Sequence, residues 1–136
     1  MYRSIQIRGI VFAAIAVILG AFGAHALKAL LPLDRLQVFE TGVRYQIIHA
    51  IALIVLSLAM ANAKKYEHSD LATKWMQRAA LCMTIGIVLF SGSLYLIATS
   101  SILPFTLGAW VGPITPLGGL FFITGWTCWG IASYRG

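Results

Sequence analysis

The sequence predicts an all-α integral membrane protein: a bundle of four transmembrane helices with both termini on the cytoplasmic side. The chain of 136 residues is 60% hydrophobic and only 10% charged, whereas soluble domains carry about 25% charged residues. Its charges border three uncharged tracts, Gly9 to Leu27 and Tyr45 to Ala63, each 19 residues long, and Ala79 to Tyr134, of 56 residues. The first two match the roughly 20 residues that cross a hydrocarbon core about 30 Å thick. The third must cross twice, which makes four spans. The length fits a single membrane domain over residues 1–136.

Charge placement sets the orientation. With four spans the N-terminus, the second connection and the C-terminus share one side, which holds Arg3, Arg8, Lys64, Lys65, Lys74, Arg78 and Arg135. The opposite side holds only Lys28, Arg35 and Arg44. Positively charged flanks stay in the cytoplasm, so the chain reads as N-in, C-in. This asymmetry accounts for the formal charge of +6. A nucleic-acid partner is excluded, because no basic stripe with interleaved aromatics is present.

Span one is expected at about residues 8–30. Ala13, Ala16, Gly20, Gly23 and Ala24 form a small-residue stripe that admits a neighbouring backbone, and Pro32 ends the helix. Ala24-His25-Ala26 fits a signal-peptidase pattern, but the apolar run before it is longer than the 7–15 residues of a signal core. The segment reads as a retained span. Leu33 to Arg44 mixes apolar Leu36, Phe39 and Val43, on one helical side, with charged Asp34, Arg35 and Glu40. It is expected to be a short helix in the interface, capped by Asp34 and bent at Gly42 into span two at about 45–62.

A hydrophilic loop, "AKKYEHSDLATKW", leads to span three at about 75–98. Thr115 followed by Pro116 reads as the N-cap and first residue of span four, at about 116–134. That leaves Ile102 to Ile114, with Pro104, Trp110 and Pro113, as a shielded or re-entrant connection. Cys82 and Cys128 are isolated within spans and read as apolar packers rather than a disulfide or a zinc motif.

The topology brings polar residues from separate segments to one depth. His25 ends span one. Tyr45, Gln46 and His49 open span two, preceded by Glu40 and Arg44. Ser91, Ser93 and Tyr95 lie in the outer half of span three, and Thr115, Gly118 and Gly119 open span four. Hydrocarbon disfavours such side chains on a lipid-facing surface, so they are expected to face inward. Three roles remain open for them: a polar clamp that fixes the bundle's register, a pocket for a lipid, quinone or other small ligand, or a proton or solute path through His25, His49 and Glu40. Gly20, Gly23, Gly118 and Gly119 are expected to set close helix packing. Gly20-x-x-Gly23 and Gly108-x-x-x-Gly112 are also compatible with oligomerisation. No metal site is assigned, since there is no H-E-x-x-H spacing. No catalytic site is assigned either: "FSGSLY" lacks the G-x-S-x-G elbow and no aspartate lies in a span.

The blocks "LGAFGAHAL", "TGVRYQIIHAIAL", "LFSGSLY" and "TPLGGLFFITGW", in that order, resemble the YgdD/YwdK-like family of small bacterial inner-membrane proteins, which has a related mitochondrial membrane protein in animals. The resemblance covers nearly the whole chain. It implies four membrane helices in the bacterial inner membrane and a molecular function not yet characterised, and it transfers no catalytic or ligand residues. Together the readings predict a non-enzymatic, multi-pass component without cofactor. Its role is that of a scaffold or accessory subunit, or of a binder of a lipid or lipid-like molecule, with a small-solute or proton transporter as the alternative. Expected partners are membrane lipids and either a second copy or another membrane protein. The orientation has a direct check: in intact cells, a cysteine introduced by Ser69→Cys is expected to resist membrane-impermeant thiol reagents until the cytoplasm is opened. Labelling from outside would reverse the assignment.

Overall fold

The computed structural model describes residues 2–65, 70–104, 106, 108 and 110–135. Helix α1 is Tyr2–His25, followed by a 3-10 turn, Leu27–Ala29, and by α2, Leu33–Lys65. Then come α3 (Asp70–Gly86), a π-helical turn (Ile87–Ser91), α4 (Gly92–Thr99) and α5 (Val111–Arg135). From α3 to α4 the chain is one helical run of 30 residues, Asp70–Thr99. The molecule is all-helical among the described residues, and four stretches are long and apolar enough to cross a membrane.

The helices outrun the uncharged tracts for a simple reason. Only the hydrocarbon excludes charge, while backbone hydrogen bonding continues through headgroup layers that bring the bilayer to about 40–45 Å. The 30 residues of Asp70–Thr99 span about 45 Å.

Five finer expectations are corrected. Leu33 to Arg44 is helical but is not a separate interfacial helix; it forms the first turns of α2. Gly42 does not bend the chain, because it is buried against the Tyr95 ring, where a Cβ would meet Cε1 at 2.8 Å. Asp34 is not the cap: the Pro32 carbonyl already accepts the Leu36 N–H at 3.0 Å. The Asp34 carboxylate instead lies in the first turn, where it favours the helix dipole. Span four opens at Val111 rather than at Thr115, which places Pro116 inside α5. Pro113 falls in the first turn, where a missing N–H leaves nothing unpaired, whereas Pro116 removes one internal bond. Nor are most of the described residues of the connection before α5 shielded by the protein. Ser101, Ile102, Pro104, Thr106, Gly108 and Trp110 are all exposed. The preceding helix has already crossed, so the irregular backbone belongs at the membrane surface. Tyr66 to Ser69 of the hydrophilic loop, including Glu67 and His68, lie outside the described residues.

Helix α1 packs along α2, and α5 packs along α3; the two hairpins meet where α2 lies against the π turn and α4. Helix α2 is central. Half of its most apolar stretch is buried within the protein, against 17% for α1. The buried residues form two apolar clusters. One, toward the N-terminal end of α1, gathers Ile5, Leu53, Leu56, Met60, Met76, Met83, Phe122 and Ala132. The other, at the opposite end, gathers Leu27, Leu31, Leu36, Phe39 and Ala98. On α2 the gap between them runs from Phe39 to Ala52 and contains Gln46 and His49.

Glycines set the approach of the helices. A Cβ at Gly9 would meet the Ala50 carbonyl oxygen at 2.8 Å, and at Gly20 and Gly23 it would lie 3.3 Å from Val43 and 3.1 Å from Phe39. The tightest contact is at Gly118, where a Cβ would run into the backbone N of Phe90 and stand 2.8 Å from its Cα. Gly119 beside it has room, with its nearest neighbour at 3.9 Å. This contrast gives a paired prediction. Gly118→Ala is expected to destabilise the protein by about 1–3 kcal/mol through overpacking, and Gly119→Ala to stay within about 0.5 kcal/mol of the parent. Denaturant titration in micelles, followed by tryptophan fluorescence, measures both.

Candidate functional site

The gap between the apolar clusters is filled by a polar layer. Gln46 is buried in α2 and reaches two other helices. Its Nε2 donates to the Phe12 carbonyl of α1 at 2.9 Å, and its Oε1 accepts from the Tyr95 hydroxyl of α4 at 2.8 Å. One amide thus joins three helices. The Phe12 carbonyl normally serves only its own helix and here accepts a second bond, for which a carbonyl has the lone pair. The Tyr95 ring packs on Phe39 at 4.9 Å and roofs Gly42.

His49, one helical turn on, is also buried. Its Nδ1 lies 2.7 Å from the Tyr45 carbonyl oxygen, and its Nε2 lies 3.1 Å from Nε1 of Trp126 in α5. A carbonyl can only accept and an indole N–H can only donate. The imidazole is therefore neutral, with its proton on Nδ1 and its Nε2 lone pair taken up by the indole. Phe122 stacks on it, with ring centroids 3.5 Å apart and planes 11° from parallel, and Tyr45 and Phe90 extend the aromatic stack. Both nitrogens are engaged, and aromatic carbon covers the ring.

A third pair joins span three to α5. Ser93 and Thr115 share a hydrogen bond at 2.7 Å, and Ser93 also donates toward the Phe90 carbonyl at 2.9 Å. Since Phe90 belongs to the π turn, this serine helps satisfy a carbonyl in a stretch where the ladder is widened. Ser91, 0% exposed, has the one buried side-chain oxygen without a partner among the described residues. Other hydroxyls return to their own helices, Thr84 to Ala80, Thr99 to Tyr95 and Ser57 to Ile54.

The structure thus gathers Tyr45, Gln46, His49, Ser93, Tyr95 and Thr115 into one layer, with Ser91 beside them. It leaves out His25, Glu40 and Arg44, which are exposed. Two partners were not read from the sequence. Trp126 is not among the polar residues the sequence brings to this depth, although an indole N–H within a span usually finds an acceptor. The Phe12 carbonyl carries no side-chain signal at all. Arg35, placed by the sequence on the polar side of an interfacial segment, donates to the Ile97 carbonyl at 2.9 Å and toward Ser100 at 3.5 Å. There it joins the Ser100 hydroxyl on the Ile97 carbonyl at the C-terminal end of α4, where a cation is favoured. Among the described residues, no group of three or more His, Cys, Asp or Glu side chains could hold a metal ion.

These features define a multi-pass helical membrane protein whose buried polar side chains bond to backbone carbonyls and to side chains of neighbouring helices. The chain belongs to the family described as "Protein of unknown function (DUF423)", whose profile matches residues 19–119. It is 40% identical over 129 residues to "UPF0382 membrane protein YwdK" of Bacillus subtilis (strain 168), covering 95% of this chain and 94% of that one. It is 35% identical over 130 residues to "UPF0382 inner membrane protein YgdD" of Escherichia coli (strain K12), covering 93% and 88%. A "UPF0382 membrane protein" of Haemophilus influenzae is 35% identical over 121 residues, covering 88% and 84%. No solved structure matches. The chain is an inner-membrane, multi-pass protein of a family whose molecular role is uncharacterised.

The layer has an energetic signature. Tyr95→Phe and Trp126→Phe each remove one interhelical bond and are expected to cost about 0.6–1.7 kcal/mol. Gln46→Leu combined with Tyr95→Phe should cost less than the two single losses added, because both remove the same bond. Micellar unfolding of the four variants checks this; strict additivity would show that Gln46 and Tyr95 are not coupled.

Proposed function

We propose that this protein is a non-enzymatic membrane component, a scaffold or accessory subunit, whose polar layer serves as a clamp and whose function is expressed on its outer surface. The observation that carries this reading is the engagement of both His49 nitrogens, by the Tyr45 carbonyl and by the Trp126 indole. A histidine so held has no free lone pair for a metal or substrate and cannot take up a proton without losing the Trp126 bond. Gln46, Tyr95, Ser93 and Thr115 are similarly occupied with one another or with backbone. A relay through His25, His49 and Glu40 finds little support, since His25 and Glu40 lie on the exposed surface outside the layer.

A second reading, binding of a lipid-like molecule, is favoured by one feature. A half-open cavity of about 360 Å³ lies between α4 and α5, lined by Val88, Leu89, Gly92, Ser93, Leu96, Val111 and Ile114. Its walls are apolar apart from Ser93, and such a recess suits an acyl or isoprenoid chain.

Two measurements on the full chain test the first reading. Native mass spectrometry directly from membranes is expected to find the protein in a defined assembly, either with itself or with another membrane protein. In proteoliposomes, a pH-sensitive dye should report no proton flux above that of empty vesicles. A flux abolished by His25→Ala or Glu40→Gln, which are exposed and leave the core intact, would overturn the scaffold reading in favour of transport.

A further inference from the structure

Arg8 lies much deeper in the molecule than its place near the N-terminus suggests. Its neighbour Gly9 abuts Ala50 and Ile54, in the middle of the 33-residue α2. Its own Nη1 donates to Oγ1 of Thr84 at 3.2 Å, and Thr84 stands halfway along the helical run Asp70–Thr99. The uncharged part of that run begins at Ala79, about 8 Å of helix before Thr84. The arginine therefore reaches just inside the hydrocarbon edge, half-buried beside α3 and within reach of the headgroups on the N-terminal side.

Among the described residues, no carboxylate answers it there. The chain has four acidic residues, Asp34, Glu40, Glu67 and Asp70. Asp34 and Glu40 lie in the first turns of α2, Asp70 opens α3, and Glu67 is outside the described residues. A guanidinium carries five N–H donors. Among the described residues Arg8 uses one on Thr84 and directs Nε at the Ser4 carbonyl, a long contact at 3.4 Å. Thr84 gives its own proton to Ala80 at 2.7 Å, so it offers the arginine only a lone pair. The hydroxyl thus positions the guanidinium without neutralising it. The contact to Ser4 also shows the side chain leaning toward the N-terminal end of α1, the direction helical side chains take and the way to the nearer headgroups. A charge at this depth persists only where something pairs with it.

We propose that Arg8 is an anion site for the phosphate of a phospholipid in the leaflet on the N-terminal side, with Thr84 as its positioning residue. The free edge of a guanidinium matches two phosphate oxygens in a bidentate pair. A phosphodiester is the anionic group that the bilayer itself supplies there. The site is separate from the polar layer and from the cavity beside Ser93, so it stands or falls independently of the function proposed above.

The test is native mass spectrometry of the full chain in detergent, titrated with phosphatidylglycerol, with diacylglycerol of the same acyl chains, and with inorganic phosphate. The wild type is expected to retain phosphatidylglycerol in preference to diacylglycerol. Arg8→Gln should weaken that retention about tenfold or more, the loss of a charge-assisted pair. Arg8→Lys should keep part of it, and Thr84→Val should weaken it less than Arg8→Gln does. Unchanged retention in Arg8→Gln would overturn the site, as would equal retention of diacylglycerol by the wild type. Full displacement of the lipid by millimolar inorganic phosphate would overturn the lipid assignment in favour of a free anion. If Arg8→Gln fails to assemble, Arg8→Lys and Thr84→Val decide, and wild-type retention in both would overturn the proposal.

Discussion

The structure rests on one bonded side chain, the amide of Gln46. In hydrocarbon a polar group that leaves the backbone ladder has no water to fall back on, so every such group needs a partner within the protein. Gln46 meets that demand with a backbone carbonyl of α1 and a tyrosine of α4. It can do so only because α2 runs between them, and its two bonds specify the register of both neighbours at once. The apolar clusters on either side supply packing, but Leu, Met and Ala contacts alone discriminate poorly between registers in a solvent as apolar as themselves.

The close approach that such short side chains require comes from glycine. Gly9, Gly20 and Gly23 draw α1 onto α2, while Gly42 lets the Tyr95 ring lie on the backbone of α2. Gly118 brings α5 against the backbone of Phe90, within the π turn. That turn carries the Gly92 N–H to the Ile87 carbonyl, a wider ring than in an α-helix. The Ser93–Thr115 bond and the Gly118 contact meet at the same place. The irregular turn, the close approach and the serine–threonine pair thus form one arrangement, and Ser91 of that turn has no partner for its hydroxyl among the described residues.

The same demand bears on the cationic side chains. Arg35 is answered by the Ile97 carbonyl and the Ser100 hydroxyl at the end of α4, where the chain has emerged from its crossing. Arg8 is answered only by a threonine oxygen and a distant carbonyl, at a depth where the chain places no acid among its described residues. The two arginines have the same chemistry and serve different ends. One closes the protein upon itself, and the other leaves donors for a group from outside.

Much of this protein was determined by its sequence alone. Uncharged tracts of sufficient length dictate four spans, because the bilayer excludes charge whatever the packing. The residues of the polar layer were legible for the same reason: Gln46, His49, Ser93, Tyr95 and Thr115 lie within spans and must bond inward, while Tyr45 joins through its carbonyl and ring although it is itself exposed. Only the tertiary structure decided their partners. Trp126 and the Phe12 carbonyl are far from His49 and Gln46 along the chain and meet them through helix packing. It also removed His25, Glu40 and Arg44 from the layer, since depth places a residue along a helix but not around it. The continuity of α2 through Gly42 was decided in the same way. In isolation a glycine weakens a helix, and here an aromatic ring from another span occupies the space its missing side chain leaves.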